Sequence, residues 1–266
     1  MIDLVVAGAA GRMGSRIIAL ARETPDLRVV AALERAGHPA LDRDAGEVAG
    51  SGRLGVPITA EPGPTLQRDR VLVEFTMPEA TLEHLRVAAT QGARAVIGTT
   101  GLTAAQLDEV TTLARRTAVL LSPNMSVGVN LAFRVLALMA RALGDDYDVE
   151  ITEIHHRMKK DAPSGTAQKM AEVIAEALGR KLGEVGVYGR HGMVGERRPQ
   201  EIGVHALRGG DVVGEHTVVF ATPGERLEFT HRAHSRDTFA RGALRAIRFI
   251  AGAAPGLYSM HDVLST

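Results

Sequence analysis

Short apolar runs and amphipathic segments alternate along residues 1–126. The apolar runs are rich in β-branched residues and nearly continuous, as in strands that are buried on both faces of a parallel sheet. They are Leu4–Ala7, Val29–Leu33, Val71–Phe75, Ala95–Ile97 and Val119–Leu121. The segments between them have helical spacing and are Met13–Arg22, Pro78–Gln91 and Ala104–Arg116. This alternation predicts a doubly wound α/β domain of the Rossmann type.

Helix-end signals support these bounds. Pro78 suits a first helical turn, where its missing N–H costs nothing, and Gly92 suits the position just after a helix end. Thr103 and Gln106 have the three-residue spacing of a capping box.

The pattern changes after Pro123–Gly128. A long helix is predicted over Asn130–Leu143, closed by Gly144. The strands that follow alternate apolar and polar residues and lie within 147–155, 202–207, 212–220 and 227–233, with glycine-containing turns at 209–211 and 222–225. Such strands favour an antiparallel sheet, so residues 127–236 are predicted to form a separate α+β domain with a mixed or antiparallel sheet. A last helix, Ser235–Ile250 with Ser235 as N-cap, is predicted to return to the first domain, which then comprises residues 1–126 and 237–266.

Charge and cysteine content exclude several classes of function. Thirty-one basic residues balance 31 acidic ones, which argues against a broad surface for nucleic acid or anionic membrane. The chain has no cysteine, so disulfides, thiolate catalysis and thiolate metal sites are excluded. No basic segment precedes the first strand, and no apolar run approaches the roughly 20 residues of a membrane helix. The expectation is a cytoplasmic protein.

A glycine-rich turn, Gly8–Gly14, joins the first strand to the first helix. Glycines there let the backbone approach a pyrophosphate, whose charge the helix N-terminus can hold. Glu34 ends the second strand and can accept hydrogen bonds from ribose hydroxyls, while Arg35 can pair with a 2′-phosphate. The GxxGxxG spacing departs from GxGxxG. The alternative is that the glycines serve helix–sheet packing alone and that Glu34 and Arg35 are a solvated pair.

Two more loops follow predicted parallel strands at their carboxyl ends, where such sheets bind ligands. They are Gly98–Gly101 and Ser122–Met125. Small and hydroxylated residues suit close approach to a nicotinamide ribose. They also suit ordinary turns and helix caps.

The densest candidate chemistry is a basic cluster at the end of the strand that reaches His155. The cluster comprises His155, His156, Arg157, Lys159 and Lys160. Directly after it, Ser164–Thr166 opens a helix predicted over Ala167–Leu178, whose first turn offers unpaired amides and hydroxyls to an anion. Together they suit a small polyanionic substrate. His155 and Lys159 are the natural proton carriers, because histidine titrates near neutrality and a lysine among cations is a readier acid.

Two other interpretations of this cluster stay open. It can be a solvated basic loop, since charge runs usually mark exposed surfaces. A metal site is disfavoured, because adjacent histidines on a strand point to opposite faces and no ligand recurs at a suitable spacing. No metal is predicted.

The run from His155 to Ala167 resembles the HHxxKxDAPSGTA signature of the dihydrodipicolinate reductase family. Six shorter segments match that family in order along nearly the whole chain. They are residues 8–14, 75–76, 98–101, 124–130, 210–216 and 224–228. The resemblance implies a homotetramer that reduces 4-hydroxy-tetrahydrodipicolinate, or the dihydrodipicolinate formed from it, to tetrahydrodipicolinate with NADH or NADPH. The implied substrate is a small cyclic dicarboxylate, and residues 127–236 would be the substrate-binding and tetramerisation domain.

The resemblance also implies site residues. His155 would donate or accept a proton, Lys159 would donate one, and His156, Gly165 and Thr166 would bind substrate. The implied cofactor-binding residues are Gly8, Ala9, Ala10, Gly11, Arg12, Met13, Glu34, Arg35, Gly98, Thr99, Thr100, Ser122, Pro123, Asn124 and Met125. One departure is Met77, where some relatives carry a basic residue.

Two rival functions are consistent with parts of the pattern. A generic Rossmann reductase for an aldehyde, ketone or amino-acid derivative would not need Lys159 beside the Ser164–Thr166 helix start. A non-catalytic dinucleotide sensor would need the glycine turn and Glu34 but would have no use for His155.

Overall fold

The apolar runs of the first half form the centre of a parallel sheet in the computed structural model, which describes residues 1–265. Seven strands pair in the order β12-β6-β5-β4-β1-β2-β3, all parallel. Their bounds are β1 Ile2–Ala7, β2 Leu27–Leu33, β3 Ile58–Thr59, β4 Val71–Glu74, β5 Arg94–Ile97, β6 Ala118–Leu121 and β12 Gly256–Tyr258. The strand order reverses between β1 and β4, which is the switch point where sheets of this kind bind ligands.

Helices cover both faces of this sheet. They are α1 Arg12–Arg22, α2 Ala45–Val48, α3 Pro78–Gln91, α4 Ala104–Ala114, α8 Asp237–Ala251 and α9 Met260–Val263. The predicted helix signals are confirmed: Pro78 occupies the first turn of α3, Gly92 ends it with φ +79°, and Thr103 and Gln106 form a capping box. The last long helix packs on the first domain as predicted, with six residues between Ala240 and Ile250 in its core. It begins at Asp237, two residues later than expected.

A second, five-stranded sheet lies in the middle of the chain, in the order β11-β10-β7-β9-β8. Its strands are β7 Asp148–His155, β8 Gly186–Tyr188, β9 Ile202–Arg208, β10 Gly214–Thr222 and β11 Glu225–Ala233. The α5, α6 and α7 helices of this region span Val127–Leu143, Gly165–Ala177 and Leu182–Val185. Residues of α5 and α6 pack with one face of this sheet into a separate core.

The second sheet is mixed, which confirms one of the two arrangements predicted for it; the antiparallel pairing that its turns indicated holds for only some of its strands. β10 pairs antiparallel with both β7 and β11, but β7 and β9 are parallel, as are β9 and β8. The turn at residues 209–211 therefore does not join neighbouring strands, because β7 lies between β9 and β10. A short glycine-containing turn does not by itself make a hairpin. The connection between the parallel strands β7 and β9 is a crossover that carries α6, α7 and β8.

Helix α5 corrects two expectations. It begins at Val127, three residues before the predicted start. With the short 3₁₀ turn that follows, it also has the length and apolar character of a membrane span: 20 residues, Val127–Asp146, with a mean hydropathy of 1.5. Its buried residues, Val129, Ala132, Leu136 and Ala140, recur at helical spacing and form one face.

Contacts divide the chain into two compact units. One comprises Met1–Val127 and the chain from Asp237 onward, and the other comprises Gly128–Arg236. The glycine turn lies in the first unit and the basic cluster in the second.

Candidate active site

In the glycine turn, the backbone of helix α1 lies close to the backbone that follows β1. Gly8 has φ +69°, a conformation that glycine adopts without strain. A Cβ atom on Gly14 would lie 2.1 Å from the carbonyl oxygen of Gly8, so only glycine lets α1 pack this closely on the turn. Gly11 donates its N–H to the carbonyl of Gly8 at 2.9 Å. The turn thus has the tight bend and the close helix–strand approach that dinucleotide binding requires.

Glu34 lies against this turn at the end of β2. Its carboxylate accepts the N–H of Ala10 at 3.1 Å and that of Arg35 at 3.2 Å. Glu34 and exposed Arg35 line a cavity of about 510 Å³ together with Gly8 and Gly11. The residues present therefore fit a dinucleotide, with glycines for the phosphates and an acid for the ribose.

An acid–histidine pair that was missed from sequence lies at the same cavity, which its histidine, His84, lines. Glu74, at the end of β4, is fully buried, and its carboxylate lies 2.8 Å from Nδ1 of His84. Burial opposes charge on His84, but the hydrogen bond and charge of Glu74 outweigh it and raise the pKa of this imidazole. A histidine whose protonated form Glu74 favours therefore borders the cavity, although Met77 is uncharged. The two residues are ten positions apart, so no local pattern could have paired them.

The other predicted cofactor loops follow β5 and β6. Thr99 is buried, and its hydroxyl oxygen accepts the N–H of Thr76 and the hydroxyl of Thr81, so this side chain ties β5 to β4. Thr100 is exposed, and Gly98 leaves room for the ring of Phe75.

The loop after β6 has its own internal hydrogen bonds. The hydroxyl of Ser122 donates to the carbonyl of Asn124, whose side-chain oxygen accepts the N–H of Ser126. Pro123 is exposed and Met125 is buried. Of the remaining predicted residues, Ala9 is buried within the turn, Ala10 and Met13 are half-buried, and Arg12 is exposed at the start of α1.

In the second unit, the basic cluster is organised by a buried carboxylate, Glu153. Its side chain has no exposure to solvent. It accepts hydrogen bonds from Nδ1 of His155 at 2.6 Å, from both terminal nitrogens of Arg208 at 2.9 and 3.0 Å, and from the N–H of Ser164 at 3.0 Å. One carboxylate thus joins β7, β9 and the start of α6. Glu153 stood at the head of the motif, but its role was not predicted.

The environment of His155 sets its protonation. Burial lowers the pKa of this imidazole, and the charges of Lys159 and Arg208 lower it further. The hydrogen bond and charge of Glu153 raise the pKa by less, so it stays below its usual value. Because Nδ1 is held by Glu153, Nε2 is the atom left to exchange protons. A Cβ on Gly214 would lie 2.9 Å from Nε2, so glycine at this position leaves room for the imidazole.

Lys159 has a partner that the cluster of cations did not suggest. Its ammonium lies 2.9 and 2.8 Å from the two carboxylate oxygens of Asp161. The expectation of a lysine among cations was therefore incomplete, because a counter-ion two residues away, Asp161, pairs with it. The peptide oxygen of Asp161 accepts from Arg208, which links Lys159 to Glu153.

The predicted substrate-binding residues lie beside this network. His156 is half-buried just past the end of β7, and its carbonyl accepts the N–H of Lys159 at 3.1 Å. Gly165 is exposed and Thr166 half-buried in the first turn of α6. Ser164 is the N-cap of that helix, with its hydroxyl accepting the N–H of Ala167. The structure thus brings His155, Lys159 and the helix start into one cluster. Among residues 1–265, no group of three or more histidine or acidic side chains is placed to hold a metal ion.

Comparisons with known proteins agree on one family. Residues 2–125 match the family model for the dihydrodipicolinate reductase N-terminus, and residues 128–264 match that for its C-terminus. The chain is 52% identical to the 4-hydroxy-tetrahydrodipicolinate reductase of Syntrophus aciditrophicus, over 99% of this chain and 98% of that protein. It is 53% identical to the enzyme of the same name from Anaeromyxobacter dehalogenans, with the same coverage.

A solved structure extends this likeness to the fold. The dipicolinate-bound dihydrodipicolinate reductase of Paenisporosarcina sp. TG-14 aligns with a TM-score of 0.77 and 26% identity, covering 97% of each chain. An amine dehydrogenase from Mycobacterium smegmatis shares the fold at a TM-score of 0.59 and 16% identity, covering 97% of this chain and 95% of that one.

Proposed function

The chain belongs to the dihydrodipicolinate reductase family, and from that premise we propose how its residues divide the work of the reaction. It reduces 4-hydroxy-tetrahydrodipicolinate, by way of dihydrodipicolinate, to tetrahydrodipicolinate with NADH or NADPH, a step of lysine and diaminopimelate biosynthesis. The resemblance noted in the sequence is thereby confirmed at the level of family and reaction. The roles of single residues are our proposal.

The first unit holds the dinucleotide in this proposal. Gly8 to Met13 would take the pyrophosphate, Glu34 and Arg35 the adenosine ribose, and the loops at Gly98–Thr100 and Ser122–Met125 the nicotinamide end. The nicotinamide supplies the hydride when it is bound.

The second unit holds the cyclic dicarboxylate. The observation that supports this assignment is the contact of buried Glu153 with both His155 and Ser164, because it joins the proposed proton carrier to a helix N-terminus. The backbone amides of Gly165 and Thr166 would bind one carboxylate of the substrate. His156 would contact the other side of the substrate ring. A relative with dipicolinate bound supports a small dicarboxylate as the ligand.

Lys159 and His155 carry the proton chemistry. Lys159 stabilises the negative charge that builds toward the ring nitrogen of the substrate and donates the proton that neutralises it. His155 exchanges a proton at Nε2, while Glu153 holds Nδ1 and so fixes the ring orientation.

One assay tests the proposed function. The purified protein is mixed with NADH and with the cyclic substrate made in place by its condensing enzyme, and the cofactor absorbance is followed. We expect cofactor consumption that depends on the cyclic substrate. Consumption only with open-chain aldehydes or ketones would favour the generic reductase, and dinucleotide binding without any turnover would favour the sensor.

We expect relaxed cofactor choice. Glu34 favours a free ribose hydroxyl, whereas exposed Arg35 can pair with a 2′-phosphate. The dissociation constants for NADH and NADPH should differ by less than about two decades, or about 3 kcal/mol. Titration calorimetry measures both, with Arg35→Ala weakening NADPH alone. A larger gap in the wild-type protein, or equal losses in the variant, would contradict these roles.

We propose that the protein is a cytoplasmic homotetramer. Leu131 and Leu138 of α5 are exposed, and β11 is an edge strand with mostly exposed side chains, so the second unit offers apolar surface and an open sheet edge to further copies. Light scattering should give four times 28.2 kDa. A monomer at working concentration would contradict the tetramer.

A further inference from the structure

A buried histidine, His216, lies under the N-terminus of α6. It stands on β10 directly opposite Glu153 of β7 on one side and His231 of β11 on the other. Only 4% of His216 is exposed. Its ring meets the ring of His155 edge to face, with centroids 5.2 Å apart. His216 therefore touches one proton carrier and lies beside the carboxylate that holds it.

Two residues of the sheet hold the N-cap Ser164 from below. Glu153 accepts the backbone N–H of Ser164 at 3.0 Å. Nε2 of His216 lies 3.0 Å from the Ser164 hydroxyl oxygen, which also accepts the N–H of Ala167 at 3.2 Å. The hydroxyl thus has two neighbours, and its behaviour as donor or acceptor depends on which nitrogen of His216 carries the proton.

The surroundings of His216 decide its protonation. Burial lowers the pKa of His216 to about 4; the charges of His155, His231 and Lys159 lower it as well, and only Glu153 raises it. Near neutral pH the ring is therefore neutral and carries one N–H. Within residues 1–265, Nδ1 of His216 is buried and has no hydrogen-bond partner. A proton on Nδ1 would be an orphaned buried donor, which native proteins avoid more strictly than an unused acceptor. The proton therefore belongs on Nε2.

We propose that His216 is a positioning residue that turns the Ser164 hydroxyl toward the substrate. Its Nε2–H donates to the Ser164 oxygen, so this oxygen accepts two hydrogen bonds and its own proton is left to donate. The acceptor is a carboxylate of the substrate on the neighbouring amides of Gly165 and Thr166. This inference rests on the proposed function, which places a carboxylate at that helix start.

Steady-state kinetics with the cyclic substrate test the role. His216→Met keeps the volume and loses the donor, so KM should rise about tenfold, while kcat stays within about threefold and the dissociation constant of NADH is unchanged. His216→Gln restores a neutral N–H donor and should bring KM back to within about threefold. Ser164→Ala should raise KM similarly, and adding His216→Met to it should cost little more.

The neighbour His231 provides a matched control. It is a half-buried histidine directly opposite His216 on the same face of the sheet, and no hydrogen bond of its side chain is found within residues 1–265. His231→Met should leave KM within about twofold. If His216→Met and His231→Met raise KM equally, or if His216→Gln fails to rescue, the loss is one of packing and the inference is wrong.

Nitrogen-15 NMR of histidine-labelled wild-type protein tests the tautomer without any variant. We expect the His216 ring to be neutral at pH 7 with its proton on Nε2. A proton on Nδ1 would overturn the inference even if the protein reduces the cyclic substrate. Absence of that activity in the wild-type protein, with the Nε2 tautomer observed, would instead overturn the proposed function and with it the carboxylate as the acceptor.

Discussion

Lys159→Ala is expected to lower kcat by about 10²–10⁴. The ammonium of Lys159 lies in the cluster that Glu153 and Arg208 organise, next to the helix start that would hold the substrate. Without it, the charge that builds toward the ring nitrogen has neither a cation nor a proton donor. NADH affinity should be nearly unchanged, since the glycine turn belongs to the other unit. Steady-state rates and calorimetry separate the two quantities.

The adjacent Lys160 is the control for charge. It is exposed, and no hydrogen bond or ion pair of its side chain is found within residues 1–265. Lys160→Ala removes the same charge from the same loop and should keep kcat within about twofold. A near wild-type kcat for Lys159→Ala, or an equal loss of kcat in Lys160→Ala, would contradict the proposed role. Either result would mean that the cluster only attracts the substrate by its charge.

His155→Ala should also act on kcat, and the double variant should show less than the combined loss. Sub-additivity is expected because both residues act on one proton path, and the charge of Lys159 already influences the titration of His155. Full additivity would mean that the two residues serve independent steps.

The parallel sheet and its ligand-binding edge could be predicted from sequence because their signals are local. A buried parallel strand reads as a continuous apolar run, and the turn from Gly8 to Gly14 carries its own spacing. The second sheet was harder. The parallel pairing of β7 with β9 depends on contacts between distant segments, and a glycine turn after β9 looks the same whether or not it closes a hairpin.

In the site as well, the features with a local sequence signal were predicted and those that depend on contacts between distant segments were not. The HHxxK run and the Ser164–Thr166 helix start are contiguous, so residue types alone suggested a basic anion site. Its supports, Arg208 and His216, are separated from Glu153 and Ser164 by more than 50 residues, and only the sheet register brings them together. The counter-ion of Lys159 was close in sequence, but the side-chain direction that pairs it with Asp161 cannot be read from spacing.

Glu153→Gln should lower both stability and turnover, because the carboxylate is buried and joined to three elements. Burial raises the pKa of Glu153, but Arg208, His155 and the N–H of Ser164 outweigh it and hold the pKa below its usual value. Removing the charge leaves Arg208 without its counter-ion, a loss of about 3–5 kcal/mol in the free energy of unfolding. Loss of the His155 partner should reduce kcat by about 10². Urea denaturation and steady-state rates measure the two effects.

The pH dependence of the unfolding free energy distinguishes the charged hydrogen bonds of Glu153 from simple packing. Since the folded pKa of Glu153 is depressed, its stabilisation is present above about pH 4.5 and is lost as the pH falls through the folded pKa. Glu153→Gln should therefore lose stability relative to wild type at pH 7, and this loss should shrink as the pH falls below about 4.5. Glu150 lies on the opposite face of β7 with its own partners Arg190 and Arg197, so Glu150→Gln should cost stability while kcat and KM stay near wild type. Equal kinetic losses in the two variants would show that Glu153 acts only through the fold.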